Sequence, residues 1–184
     1  MKIAIISSSI REDRETHKVA LALDRALADV ADVEPVLIDL KEYDLPGLVH
    51  VRGKFDEVPE DVARLGDQLD AADGIIFVSP EYNGGYSSAL KNAIDFFPKS
   101  TYHRKPVGVA TASSGRLGGM RAAQQLLHLA LALWAIPSPT LLLTAQVQDT
   151  LDEDGNILNE GYKKGFDSFV EDYLWLTERL RTRS

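Results

Sequence analysis

The chain has 184 residues and a mass of 20.3 kDa, room for one domain with a sizeable core but not for two ordinary ones. Hydrophobic residues make up 45% and charged residues 26%, the balance of a globular protein rather than a disordered one. A formal net charge of −8 argues against nucleic acid and anionic membrane as partners, and the lack of cysteine excludes disulfides, thiolate metal sites, iron–sulfur clusters and a cysteine nucleophile.

The opening Met1-Lys2-Ile3-Ala4-Ile5-Ile6 runs straight into a strand-like segment over 2–7, too short an apolar run for a signal peptide. No later segment approaches the roughly 18–20 uninterrupted apolar residues that span a bilayer, so a cytoplasmic protein is expected. Residues 16–30 place Val19, Ala20, Leu23, Ala26, Leu27 and Val30 on one helical face, and Val33 to Leu40 follows as a second strand. Tyr43 to Phe55 is irregular, with a short helix expected over 60–72 behind Pro59. Gly74 to Ser79 is almost unbroken Ile, Phe and Val, the pattern of a central strand buried on both faces. Then come a helix over Ser87 to Phe97, a strand over Pro106 to Ala112, a helix over 117–134, a strand over Thr140 to Ala145 and a last helix over 160–181. Strands alternating with helices predict an α/β fold: a doubly wound sheet of five parallel strands, order 2-1-3-4-5, with helices on both faces. No linker or repeat divides the chain, and residues 1–184 are expected to form a single domain.

Several chemistries are struck off by missing motifs. There is no phosphate-binding G-x-x-x-x-G-K-[ST], no G-x-S-x-G nucleophile elbow, and no G-x-G-x-x-G after the first strand. His17, His50, His103 and His128 are too scattered to form a metal pair at helical spacing. Asp152 to Asn156 is better read as an Asp-Gly turn than as a calcium loop, since Gly161 falls where the bidentate Glu would be needed.

In an open sheet of this order, ligands sit beyond the carboxyl ends of the strands, at the switch point between strands 1 and 3. Three loops meet there. After strand 1, Ser7-Ser8-Ser9-Ile10-Arg11 to Lys18 offers hydroxyls, arginines and a helix N-terminus, a set that can bind phosphate. A serine-rich cap followed by a solvated mixed-charge loop is the alternative. After strand 3, Pro80-Glu81-Tyr82-Asn83-Gly84-Gly85 combines a stacking face with glycines that admit close backbone approach. After strand 4, Ser113-Ser114-Gly115-Arg116-Leu117-Gly118-Gly119 is again small and glycine-rich.

Pro80-Glu81-Tyr82-Asn83-Gly84 followed by Leu90-Lys91-Asn92-Ala93-Ile94-Asp95 resembles the signature of the NADPH-dependent FMN reductases, flavodoxin-like proteins that include quinone, chromate and azo-dye reductases. Ser9-Ile10-Arg11 is similar to the phosphate loop of that family, and Ser113 to Gly119 to its third, flavin-edge loop. The resemblance implies bound FMN, with Ser9, Arg11, Thr16 and His17 at its phosphate. Pro80, Glu81, Tyr82, Asn83 and Gly84 would border the isoalloxazine, and Ser113, Ser114 and Gly115 its other edge. One position departs from the pattern: Ser8 stands where the family has glycine, and a positive φ there would strain a serine.

The activity so implied is hydride transfer from NADPH or NADH through FMN to a small-molecule acceptor such as a quinone or flavin, with no catalytic side chain. Arg11, not Lys18, is expected to carry the phosphate's countercharge. Two rivals are an FMN electron carrier without nicotinamide activity and a flavin-free binding module of the same fold. Apolar residues cover nearly the whole circumference of the second half of helix 117–134. That coverage, with the resemblance, predicts a homodimer or homotetramer in which Leu129 or Leu133 approaches the partner.

Overall fold

A computed structural model describes residues 1–181. Five parallel strands, β1 (Lys2–Ser7), β2 (Glu34–Asp39), β3 (Gly74–Pro80), β4 (Pro106–Ala112) and β5 (Ile136–Thr144), lie in the order β2-β1-β3-β4-β5. The helices are α1 (Thr16–Ala28), α2 (Glu60–Ala71), α3 (Ser88–Asp95), α4 (Met120–Ala132), the single turn α5 (Val147–Thr150), and α6 (Glu160–Leu180). No helix among the described residues is long and apolar enough to cross a membrane.

Strand side chains alternate between two cores, as the pleat requires. Ile3, Ile5, Ile76 and Val78 face α1 and α6, where they meet Val19, Leu23, Phe166, Phe169 and Tyr173. Ala4, Ile6, Ile75 and Phe77 face α2, α3 and α4 through Leu65, Leu69, Leu90, Ile94 and Leu126. Both faces of β3 and β4 are buried throughout, which explains why those segments are continuously apolar.

The fold class and strand order agree with expectation; the differences lie at element ends. β5 begins at Ile136, not Thr140, and runs through Pro137 and Pro139. It is an edge strand with a register shift opposite Val107 to Val109, the setting in which a missing N–H is tolerated. α4 starts at Met120 instead of 117 because Gly118 and Gly119 are both left-handed, and Trp134, at φ 63°, stands just beyond its last turn. α3 is trimmed to Ser88–Asp95, with Ser87 as its N-cap accepting from the Ala89 and Leu90 amides. Leu133 lies in the chain's own core and is not free to face a partner, while Leu127 and Leu129 pack against that core; Leu131 and Trp134 are the exposed apolar residues there.

Candidate functional site

The loops after β1, β3 and β4 converge on a cleft of about 290 Å³ at the carboxyl ends of the strands. Beneath it lies a set of buried serines. The Ser8 amide and hydroxyl both donate to the Val78 carbonyl, at 3.0 and 2.9 Å. Ser87 Oγ donates to the Ser8 carbonyl at 2.7 Å, and the Ser87 amide donates to Ser79 Oγ at 2.9 Å. These bonds pin the ends of β1 and β3 to the start of α3. Ser8 does not adopt a positive φ; the serine in the glycine position is unstrained and supplies a bond that glycine could not.

The loop after β1 is held by charge. Arg14 spans from the Ser9 carbonyl, at 3.1 Å, to both carboxylate oxygens of Asp39 at the end of β2. Burial alone would raise the Asp39 carboxyl, but the Arg14 hydrogen bonds and the Lys41 amide outweigh it and hold the group below the usual aspartate range. His17 turns away from the cleft: its Nδ1 lies 2.9 Å from Ser7 Oγ and 3.7 Å from Asp39. Burial, with Arg14 beside it, pushes the imidazole below its ordinary pKa against the pull of Asp39. Thr16 is buried at the cleft wall, and no side chain caps the first turn of α1; the Lys18 amide bonds the Glu15 carbonyl at 3.2 Å, while those of Thr16 and His17 have no intrahelical acceptor. Arg11 is exposed, 3.2 Å from Asp13, with its guanidinium 5.9 Å from the centre of the Tyr82 ring.

The loop after β3 is held by backbone bonding. Tyr82 and Gly85 exchange amide–carbonyl hydrogen bonds at 2.8 and 3.0 Å across Asn83 and Gly84, whose φ angles are 52° and 82°. This is a type I′ turn, for which Asn-Gly is the favoured pair. Gly84 thus serves the turn's own geometry, and it lines neither the cleft nor the basin beside it. The Tyr82 hydroxyl lies 2.9 Å from Ser9 Oγ and ties this loop to the one after β1. The carboxylate of Glu81 accepts from the Arg121 and Ala122 amides, at 3.0 and 3.4 Å, and so caps the N-terminus of α4.

After β4, Ser113 and Ser114 line the cleft, while Gly115 lies behind, its carbonyl accepting from the Gln146 amide. The next glycines face the protein rather than a ligand. A Cβ on Gly119, which has φ 83°, would lie 2.8 Å from the Cβ of Thr111.

Of the residues predicted from sequence, Ser9, Arg11, Thr16, Pro80, Glu81, Tyr82, Ser113 and Ser114 meet in the cleft. Asn83 borders a more open basin of about 490 Å³, which adjoins the cleft at Arg11, Glu81 and Tyr82. His17, Gly84 and Gly115 line neither. Sequence reasoning missed Asp13, Glu15, Ala112 and Val147 as lining residues. It also gave Lys18 no role, although the structure buries it beside Glu15. Arg14, the second arginine that the sequence offers in this loop, also lines the cleft, but its guanidinium is engaged by Asp39. The donor set suits a phosphorylated flavin: hydroxyls, open helix amides and a guanidinium at one end, an aromatic face and small polar residues at the other.

The pattern that defines the NADPH-dependent FMN reductases matches residues 1–148. A quinone reductase of Pseudomonas putida is 30% identical over 177 residues, covering 92% of this chain and 90% of that protein. An FMN-dependent NADPH-azoreductase of Staphylococcus aureus is 31% identical over 161 residues, 85% of this chain and 83% of the relative. Among solved structures, the flavoenzyme NAD(P)H:(acceptor) oxidoreductase FerB of Paracoccus denitrificans superposes with a TM-score of 0.80 at 27% identity, covering 97% of each chain.

Proposed function

Because this chain belongs to the NADPH-dependent FMN reductase family, we propose that its cleft holds FMN, with the phosphate at the loop after β1 and the ring between Tyr82 and Ser113. The protein is an FMN-dependent NAD(P)H oxidoreductase. The observation that carries the site assignment is convergence: three loops, separate in sequence, line one cleft with phosphate-binding donors at one end and an aromatic at the other. When bound, FMN supplies the hydride chemistry, accepting from the nicotinamide and passing reducing equivalents to the acceptor.

The chain's own residues bind and orient. Arg11, paired in the free protein only with exposed Asp13, would hold the phosphate by charge-assisted hydrogen bonds. The hydroxyls of Ser9 and Thr16 and the first amides of α1 complete the phosphate's shell. His17 serves from behind by holding Ser7. Tyr82, tethered to Ser9, presents its ring to the flavin. Pro80, Glu81 and Asn83 shape the backbone along one edge, and Ser113 and Ser114 bound the other; Gly84 and Gly115 set the shape of these two loops. No side chain acts as acid or base. NADPH or NADH and then the acceptor take turns in the open basin beside Tyr82 and Asn83. By analogy with the relatives' names the acceptor is a quinone or an azo compound, and by analogy with the family's name a flavin.

We take residues 1–184 as one FMN-binding domain, its last three residues lying outside the described ones, acting in the cytoplasm. Self-association into a homodimer or homotetramer would cover Leu131 and Trp134, each 59% exposed on one side of α4 and just past its end. Light scattering tests it, and a mass near that of one chain refutes it. For the activity, the test is anaerobic addition of NADPH to protein reconstituted with FMN, which is expected to bleach the yellow colour rapidly. Bound FMN that does not bleach would make the protein an electron carrier; failure to take up flavin would make it a binding module.

A further inference from the structure

Glu15 presents a difficulty for a phosphate site. It stands at the N-terminal end of α1 and lines the cleft, yet it caps no amide of that helix. A bare carboxylate there would repel a dianion and cancel part of the helix dipole. Its Oε2 is closed to solvent and has no well-aligned hydrogen-bond partner among the described residues. The ammonium of Lys18, 2.7 Å away, is what compensates it.

Lys18 is itself unusual. Its side chain is only 7% exposed, although it sits in the first turn of a helix that begins at the cleft. The same Nζ donates to Glu153 at 2.7 Å, across 135 residues of sequence. The segment carrying Glu153 is fixed in turn: Asp152 accepts from the Asn156 amide and side chain, and Arg25 of α1 bonds Asn156 and the Asp154 carbonyl. Burial would lower the Lys18 pKa, but the two carboxylates outweigh it and keep the group charged. The other charges at the cleft are already matched, Arg11 with Asp13, Arg14 with Asp39 and Glu81 with Arg121.

We infer that Lys18 is a positioning residue for cofactor binding: it neutralises and holds aside Glu15, so that the phosphate meets the open end of α1 instead of a carboxylate. This rests on the reading of the cleft as the FMN site. Lys18 touches no part of the cofactor; it acts through Glu15. The effect must therefore depend on the phosphate and vanish when Glu15 is neutral.

The experiment measures dissociation constants for FMN and for riboflavin, which lacks the phosphate, by quenching of flavin fluorescence. The proteins are the wild type, Lys18→Met, Glu15→Gln and the double variant. Lys18→Met is expected to lose roughly tenfold or more in FMN affinity with riboflavin affinity unchanged, and adding Glu15→Gln to restore FMN binding. Glu15→Gln alone should bind FMN at least as tightly as the wild type. Equal loss of FMN and riboflavin in Lys18→Met would overturn the inference, as would lack of rescue by Glu15→Gln. Should Lys18→Met not fold, Glu15→Gln decides the matter, because a loss of FMN affinity there contradicts the argument. A wild type that binds neither flavin would instead remove the FMN reading itself.

Discussion

The loops after β1 and β4 face each other across one cleft but are kept in shape by opposite means. After β1, charged side chains reach from the loop and from α1 to carboxylates that are distant in sequence: Arg14 to Asp39 and Lys18 to Glu153. After β4, the backbone packs so closely on the ends of β4 and β5 that side chains are excluded at Gly118 and Gly119. The first device leaves exposed Arg11 and the open amides of α1 where an anion can use them, and it responds to pH and salt. The second fixes a wall and, at its two glycines, responds to volume. A site that must seat a charged tail at one end and a flat ring at the other has use for both.

The largest effect expected from breaking this contrast is at Asp39. Asp39→Ala strands Arg14, whose side chain is 16% exposed, and should cost about 3–5 kcal/mol in urea unfolding. A loss under about 1 kcal/mol would mean that charge does not brace this loop. Gly119→Ala comes next, at about 2 kcal/mol, since it meets both the left-handed backbone penalty and the clash with Thr111. Its cost should be the same in low and high salt, while Gly115→Ala, with nothing nearer than 3.8 Å, should change stability by less than about 0.5 kcal/mol.

Tyr82→Phe removes the tether between the loops after β1 and β3 and is expected to cost about 0.5–1.5 kcal/mol. Tyr82→Ala should keep the fold and lose flavin affinity in addition; unfolding with unchanged flavin affinity in the folded fraction would make Tyr82 structural.

The smallest effect concerns His17. Its native pKa is depressed, so the unfolded chain takes up a proton near pH 6.5 that the folded one resists. Stability from this group is intact above about pH 6.5 and falls as the pH drops through the native value. His17→Gln should lose less Tm than the wild type between about pH 7.5 and 5.5. Asp39 does not confuse the comparison, because its share is lost only below its ordinary value of 3.8. Equal slopes for the two proteins would show that His17 is not linked to folding.

The order of elements was legible because buried parallel strands leave long apolar runs, as at Ile75 to Val78, and because the loops after them carry residues unlike ordinary surface. Cleft residues were legible where the motif itself faces the cleft, as at Tyr82 and Ser113. Two kinds of feature were not. Pro137 and Pro139 hid the first half of β5, since only a sheet with β5 at its edge excuses them. Arg14's partner Asp39 and Lys18's second partner, Glu153, lie 25 and 135 residues away and are chosen by sheet order and by the docking of a late segment on α1. Nothing local in the sequence announces either. The Asn83-Gly84 turn was legible in principle, but its glycine invited a ligand-facing explanation where turn geometry suffices.

The central claim is that the loop after β1 receives the phosphate of FMN. The direct measurement is the FMN dissociation constant of Arg11→Ala beside that of Lys41→Ala, whose lysine is occupied with Glu12 outside the cleft. A charge-assisted contact worth about 1.5–3 kcal/mol predicts a ten- to hundredfold loss for Arg11→Ala and little change for Lys41→Ala. Equal constants for the two variants would contradict it.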